Sequence, residues 1–577
     1  MKTVTVRSLC LIALLAAAPR PCPALTIEAP EASIKTVGGK ASPAENADGG
    51  WNLFSNGEVG EFVTIPQAGT YKLVVRAGGS PARGTWPQMA VVMDGISVAS
   101  VVVDKEKYAD YIFPVKMSLG VHRITVAFLN DAAVPADDPS QGWKEDRNLY
   151  LRRIEIVPAA GAAAPALGSV TKWAVENQRR EEEAVSATAK AIEQHRKGDA
   201  VIRVVDAAGR PVAGAKVEVS LARHDFLFGC NIYMFDYFKT SSENDLYKQR
   251  FAELFNYATV GFYWQSYEPQ RGRPNYAYTD KVVAWCADRQ IRMKGHPLLW
   301  AHQAGIPVWS DGQPSAEVRR QRVIDLLGRY GSRIAFWEVV NEPGHLESLP
   351  IDEPYRWARQ VDPKACLIVN DSDVLSNGFP TFLKLLQEAK ASGVPFDGIG
   401  IQAHEPRTMR FPLQNVVTVL DQYAALGKGL HITEFTPRSS GDPITGSHLT
   451  GPWDEKAQAE YAEKFYRVCF AHPAVVAITW WDLCDQGSWL TGGGMLRKDL
   501  SPKPVYTALH KLIHQEWTTR VSGQADANGS LRFRGFFGRY SVRVTQEGKA
   551  AAGEFLLDRK AGDQAREEWI LKIVERH

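Results

Sequence analysis

Cysteine is scarce in this chain, with seven in 577 residues. Cys10 and Cys22 fall near the start, and Cys230, Cys286, Cys366, Cys469 and Cys484 are scattered without a CxxC pair. That spacing excludes a disulfide framework or a cysteine-built zinc site and leaves most of the five as small buried hydrophobes. Long runs of one charge are also missing: 67 Lys and Arg face 65 Asp and Glu, a net +2, which argues against nucleic acid or an anionic membrane as the main partner. Beyond the first residues no stretch approaches the ~20 apolar residues of a membrane span. No HExxH, no clustered His/Cys spacing, no Walker-type loop and no helix-opening GxGxxG occurs, so no cofactor is expected for catalysis. No protein partner is implied either.

What is present is ordinary globular composition, 45% hydrophobic and 23% charged, with many aromatics: 16 Trp, 19 Tyr and 23 Phe. Flat rings suit sugar faces, although large cores use them too. Lys2 and Arg7 precede an apolar run from Leu9 to Ala18 and then small residues, the order of a secretory signal peptide ending near Ala24. The expectation is a secreted or periplasmic protein, free of the membrane once the signal is removed.

Six segments are expected. Residues 1–24 are the signal, and 26–157 read as short alternating strands, an all-β sandwich. Residues 158–172, with Pro158 to Pro165 rich in alanine, read as a linker; 173–224 hold a charged helix and an accessory β patch. From 225 to 515 apolar runs alternate with amphipathic helical stretches, and eight such alternations are the pattern of a (β/α)8 TIM barrel. The strand candidates are 226–232, 257–264, 292–300, 334–341, 367–370, 396–404, 429–435 and 475–483. Residues 516–577 return to β structure and, with the 200–221 patch, suit a small β module beside the barrel.

In such barrels, polar residues at strand C-terminal ends point into the mouth. Glu342 ends the fourth strand in Asn341-Glu342-Pro343, and Glu434 ends the seventh in Thr433-Glu434-Phe435. Strands four and seven lie across the mouth, so the two carboxylates can face one another over a bound chain. A pair about 5–5.5 Å apart suits retaining glycoside hydrolysis, one as nucleophile and the other as acid, then base.

Further runs occur in order: Gly295-His296-Pro297-Leu298-Leu299-Trp300, Trp337-Glu338-Val339-Val340-Asn341-Glu342, Gly398-Ile399-Gly400-Ile401-Gln402-Ala403-His404, Ile432-Thr433-Glu434 and Ile478-Thr479-Trp480-Trp481-Asp482, with Ser488-Trp489 after them. Together they resemble the catalytic domain of the family-ten glycoside hydrolases, the retaining endo-1,4-β-xylanases. The resemblance implies Glu342 as acid/base and Glu434 as nucleophile. Asn341 would bond the 2-hydroxyl of the attacked sugar, His404 would orient Glu434 by a hydrogen bond, and His296, Trp300, Gln402, Trp481 and Trp489 would wall the subsite. Xylan is the expected substrate. One run departs from the family: Glu-Asn followed by Met-Lys-Trp is usual after the second strand, whereas Thr259-Val260-Gly261-Phe262-Tyr263-Trp264 stands here. Ala301-His302 also follows Trp300 where the family usually has His first. A retaining β-glycanase on a different or decorated glycan is therefore a second reading, and a non-catalytic carbohydrate-binding protein a third.

In the N-terminal region, Phe128-Leu129-Asn130-Asp131 and Glu145-Asp146-Arg147-Asn148-Leu149-Tyr150 resemble calcium-dependent xylan-binding modules. Asn130, Asp131 and Asp146 are hard oxygen donors of the kind Ca²⁺ takes.

Overall fold

The computed structural model describes residues 24–36, 39–41, 49–137, 142–159, 162–345, 349–404, 409–559 and 567–575; the expected signal, except Ala24, lies outside them. The chain divides into two compact units, Met1–Glu176 and Asn177–His577. Among the described residues no helix is long and apolar enough to cross a membrane.

The first unit contains two six-stranded antiparallel sheets. One is built around Gly69–Ser80 and Asn148–Val157, the other around Gly57–Ile65 and Gly120–Phe128. Alternation sets the faces, as period two requires: Tyr71, Leu73, Val75 and Ala77 are buried, and Lys72 between them is exposed. Val63, Ile124, Val126, Leu151 and Ile154 belong to the same core. The stretch 158–172, read as a linker, is partly structured. Ala166–Leu167 pairs with Thr64 and Val63, and a helix begins at Val170. Strand 57–65 leaves backbone groups to be satisfied on that edge, which the short strand does.

The second unit holds the barrel. Its strands are β1 (Leu227–Asn231), β2 (Tyr257–Gly261), β3 (Arg292–His296), β4 (Phe336–Asn341), β5 (Cys366–Asp371), β6 (Gly398–Ala403), β7 (Gly429–Phe435) and β8 (Val475–Trp480). All neighbours pair in parallel, and pairs Lys294–Phe336 and Gly295–Trp337 between β3 and β4 close the ring. The strands are buried almost end to end, which is why they read as continuous apolar runs. A side chain at Gly295 would run into the Trp337 ring, 2.2 Å from an ideal Cβ; glycine lets β3 approach β4. Some of the helices between strands start at side-chain caps: Thr240 with Glu243 forms a capping box, and Asp454 accepts from the Ala457 N–H.

Segments from both ends of this unit meet in a second, smaller sandwich. Lys197–Val205 pairs with Ser530–Phe536 and Glu567–Lys572, and Lys216–His224 pairs with Arg520–Gln524 and Gly538–Gln546. Ile202, Val217, Tyr540, Val542 and Phe555 share its core. The barrel is thus inserted, in sequence, between two parts of one β module.

Candidate active site

The ends of β4 and β5 are held together first. Asn341 and Asn370 are register partners, and Asn370 is the hub between them and β7. Its Nδ2 donates to Asn341 Oδ1 at 2.8 Å and to Glu434 Oε1 at 3.0 Å, while its Oδ1 accepts from Thr433 Oγ1 at 2.6 Å. The next residue, Glu342, has a left-handed φ of 54°, and its N–H donates to the Asn370 carbonyl at 2.8 Å. A non-glycine residue in that region is strained unless its surroundings hold it. The Glu342 carboxylate accepts from Trp300 Nε1 at 3.0 Å and from Gln402 Nε2 at 2.9 Å.

Gln402 and Glu434 are register partners on β6 and β7. Gln402 Oε1 lies 3.2 Å from His404 Nε2, which lies 3.7 Å from Glu434 Oε2. Two side chains therefore span the gap between Glu342 and Glu434. The hydrogen bond expected from His404 to Glu434 is too long at that distance; Asn370 holds Glu434 instead, and His404 faces Gln402.

Beneath Glu434 lies a buried charge cluster. Lys294 and Glu338 are both fully enclosed. Lys294 Nζ and His296 Nδ1 each donate to the Glu338 carboxylate. Burial works to raise the Glu338 carboxyl, and Lys294 and His296 overcome it, holding it at about 2. Glu434 is pushed the other way, well above the usual carboxylate range, by burial and by the Glu338 charge, with Lys294 opposing. His296, Glu338 and Glu434 are close enough together to offer a metal three donor atoms, but the Lys294 ammonium already supplies a cation there.

Around these groups stands an aromatic wall. Trp481 packs edge-on against His296 and Tyr233, at ring separations of 5.3 and 5.5 Å. Trp300 stacks on His302 at 4.4 Å. Trp489 lies 4.6 Å from the His404 ring and is 53% exposed, so its ring is open to a ligand.

Residues 220–512, half of the chain, match the model for glycosyl hydrolase family 10. The chain belongs to that family. Residues 72–167 match the model for a Ca-dependent xylan-binding carbohydrate-binding module. Among curated relatives, the anti-sigma-I factor RsgI6 of Acetivibrio thermocellus is 27% identical over 62% of this chain and 46% of its own length. Endo-1,4-beta-xylanase 2 of Arabidopsis thaliana is 26% identical over 60% of this chain and 32% of its own. Endo-1,4-beta-xylanase B of Thermotoga neapolitana is 28% identical over 46% of this chain and 83% of its own. The chain thus spans less than half of the first two relatives. The crystal structure of xylanase 10B from Thermotoga petrophila RKU-1 in complex with xylobiose aligns over 51% of this chain and 95% of that one, with 25% identity and a TM-score of 0.44.

For a family 10 barrel, the altered second-strand run now has a geometry. The Tyr263 hydroxyl lies 3.1 Å from His296 Nε2, within hydrogen-bond distance. Its ring meets Tyr233 edge-on at 5.8 Å and Trp300 at 6.0 Å. Tyr263 is thus built into the wall, its hydroxyl spent on protein.

Asn370, Lys294 and Glu338 were not singled out in the sequence. Asn370 could have been, by the same strand-end rule as Glu342; Lys294 and Glu338 stand out as charges inside apolar strands, which a barrel interior must pair.

In the N-terminal unit the candidate metal residues separate. The Asn130 amide is spent on backbone, accepting from the Gln88 N–H at 2.6 Å and donating to the Trp86 carbonyl at 3.0 Å. Asp131 and Asp146 remain as a carboxylate pair. Burial and the Asp146 charge raise the Asp131 carboxyl. Arg147 beside them donates to the carbonyls of Thr85 and Ala82. Asp131 and Asp146 both offer hard carboxylate oxygens of the kind Ca²⁺ takes, with Arg147 opposing the rise at Asp131 and Asn148 Nδ2 donating to Asp146 Oδ2 at 2.8 Å.

Proposed function

We propose that this chain is a secreted retaining endo-1,4-β-xylanase that cleaves internal bonds of xylan by double displacement. The observation that carries the reading is the pair of unlike carboxylates at the ends of β4 and β7, linked by Gln402 and His404. In the first step Glu434 attacks the anomeric carbon while Glu342 gives its proton to the departing sugar oxygen, leaving a glycosyl ester on Glu434. Glu342, now a carboxylate, takes a proton from water, whose oxygen displaces Glu434 and restores the configuration. Trp300 and Gln402 donate to Glu342 in its anionic state, and Asn370 donates to Glu434 as it becomes the leaving group. Asn341, its Oδ1 held by Asn370, offers its amide hydrogens to the 2-hydroxyl. His296, Trp481 and Trp489 wall the attacked sugar. The basic and apolar leader supports export.

Product analysis on xylan, cellulose and mannan tests this reading: short xylo-oligosaccharides from xylan alone are expected. A second reading, a different or decorated β-glycan, is favoured by Tyr263, which stands where the family's ammonium usually does and spends its hydroxyl on His296. Cleavage of another glycan with xylan untouched would select it.

The charge cluster sets the pH dependence. Glu434 must ionise to attack, and the groups facing it are Glu338, Lys294, Glu342, Asn370 and His404. Glu338→Gln removes one negative neighbour and leaves Lys294 to attract Glu434. Its acid form then weakens as a competitor, so the acidic limb of kcat/KM is expected to move to lower pH. An unmoved limb would separate Glu338 from the nucleophile's ionisation.

The N-terminal module would hold calcium through Asp131 and Asp146, and the ion would present open coordination positions to sugar hydroxyls. Tethering the barrel to insoluble xylan raises its local concentration there. EGTA is expected to release the protein from insoluble xylan, reversibly on adding Ca²⁺, while hydrolysis of soluble xylo-oligosaccharides stays unchanged. Retention of binding in EGTA would remove the ion from the picture.

A further inference from the structure

The turn that carries Glu342 is fastened to β5 by a group that the reaction scheme above does not use. Three points of attachment follow one another along the chain. The Glu342 N–H meets the Asn370 carbonyl at 2.8 Å. The Gly344 N–H meets Asp371 Oδ2 at 2.7 Å, and His345 Nδ1 meets Asp371 Oδ1 at 2.6 Å. Asp371 is fully buried. A side chain at Gly344 would lie 2.8 Å from Asp371 Oδ2 and 3.1 Å from the Phe379 ring, so glycine is required for the close approach. The His345 ring stacks on Phe379 at 4.3 Å, and its Nε2 lies 3.3 Å from Asp373 Oδ2.

With a carboxylate at each ring nitrogen, His345 carries both protons and is an imidazolium. Burial works to lower its pKa, and Asp371 and Asp373 outweigh that, raising it to about 10. Burial raises the Asp371 carboxyl while His345 opposes it. The Nδ1–H bond of His345 and, after it, its charge are therefore what help keep a buried Asp371 able to accept two hydrogen bonds from the turn. Without the ring, Asp371 tends to take up a proton, one acceptor oxygen becomes a donor, and the grip on Gly344 weakens. The strained φ of Glu342 then has less to oppose it.

We propose that His345 is a positioning residue, which through Asp371 holds the turn that aims the Glu342 carboxyl at the departing sugar oxygen. This rests on Glu342 being the acid/base group. Misplacement by a fraction of an ångström affects only a step in which Glu342 moves a proton, and such steps are sensitive to geometry.

The test compares leaving groups. Departure of a sugar hydroxyl from xylan needs a proton from Glu342; departure of 2,4-dinitrophenolate from an aryl β-xylobioside does not. His345→Ala is expected to lower kcat/KM on xylan by about ten-fold or more and on the aryl substrate by less than about two-fold. His345→Gln, which keeps a donor for Asp371, is expected to recover much of the loss. Equal losses on both substrates, or none on either, would overturn the proposal, as would a glutamine variant no better than alanine. Glu342→Ala run alongside tests the underlying reading separately. If it also loses both substrates equally, Glu342 is not the acid and the reading of the site fails; if it spares the aryl substrate while His345→Ala does not, only the role of His345 fails.

Discussion

Glu434→Ala is expected to abolish xylan cleavage, with kcat/KM down by at least about 10³-fold, or roughly 4 kcal/mol of transition-state stabilisation. The side chain forms the bond that the mechanism requires, and nothing among its neighbours replaces it: Asn370 is a neutral amide, and Glu338 is committed to Lys294 and His296. Truncation also opens space on the face of the sugar opposite the leaving group. Added azide can enter there and attack the anomeric carbon once, giving an α-glycosyl azide. In Glu342→Ala the glycosyl ester still forms from an activated substrate, and azide intercepts it on the same face as water would, giving a β-glycosyl azide. Chromatography of the two azides, with the rates, assigns each glutamate its role. An α-azide from Glu342→Ala and a β-azide from Glu434→Ala would reverse the assignment. Unimpaired sugar binding with no turnover in any form would favour a carbohydrate-binding protein.

Asn370→Ala is the second large effect, and it reaches further than one contact. Asn370 donates to Asn341 and Glu434 and accepts from Thr433, and all four side chains are buried. Truncation leaves three polar groups without that partner, each at a cost of about 1–3 kcal/mol when it stays buried. Glu434 loses the Asn370 donor at 3.0 Å, so its carboxylate is stabilised less, both before attack and on departure. A fall in kcat of about 10²-fold is expected, with KM changed far less, and the urea midpoint of unfolding should drop measurably. Asn370→Asp separates the two effects: it keeps the shape but sets a charge against Glu434, so kcat should fall while packing is retained. An alanine variant with normal turnover would show that Glu434 is held by other groups.

The parts read directly from the sequence share one property: each is local. Eight apolar runs with amphipathic helices between them predict a barrel because parallel strands buried on both faces must be apolar throughout. The helix Ala316–Tyr330 starts at Ser315, whose side chain accepts from the Val318 N–H. Glu342 and Glu434 could be singled out because a carboxylate at the end of such a run points into the mouth. Tyr263 stood out because it interrupts an expected polar run.

What sequence reading missed depends on partners that are far apart along the chain. His404 was expected to hold Glu434, since both end neighbouring strands; the side-chain directions give that bond to Asn370, one strand further round. Asn130 looked like a metal donor by residue type, but the turn at Trp86–Gln88 uses both ends of its amide.

The sequence alone thus determined the barrel, the N-terminal sandwich and the placement of Glu342 and Glu434 at the ends of β4 and β7, because hydrophobic period and strand-end polarity are properties of short segments. Tertiary structure decided the rest. Within the module expected from 200–221 and 516–577, which strands meet, Lys197–Val205 against Ser530–Phe536, is set only when the intervening barrel brings its two ends together. The Lys294–Glu338 pair, the Asn370 hub and the Asp371–His345 fastening exist only once the barrel closes with a particular register, since that register selects which buried charges and amides meet.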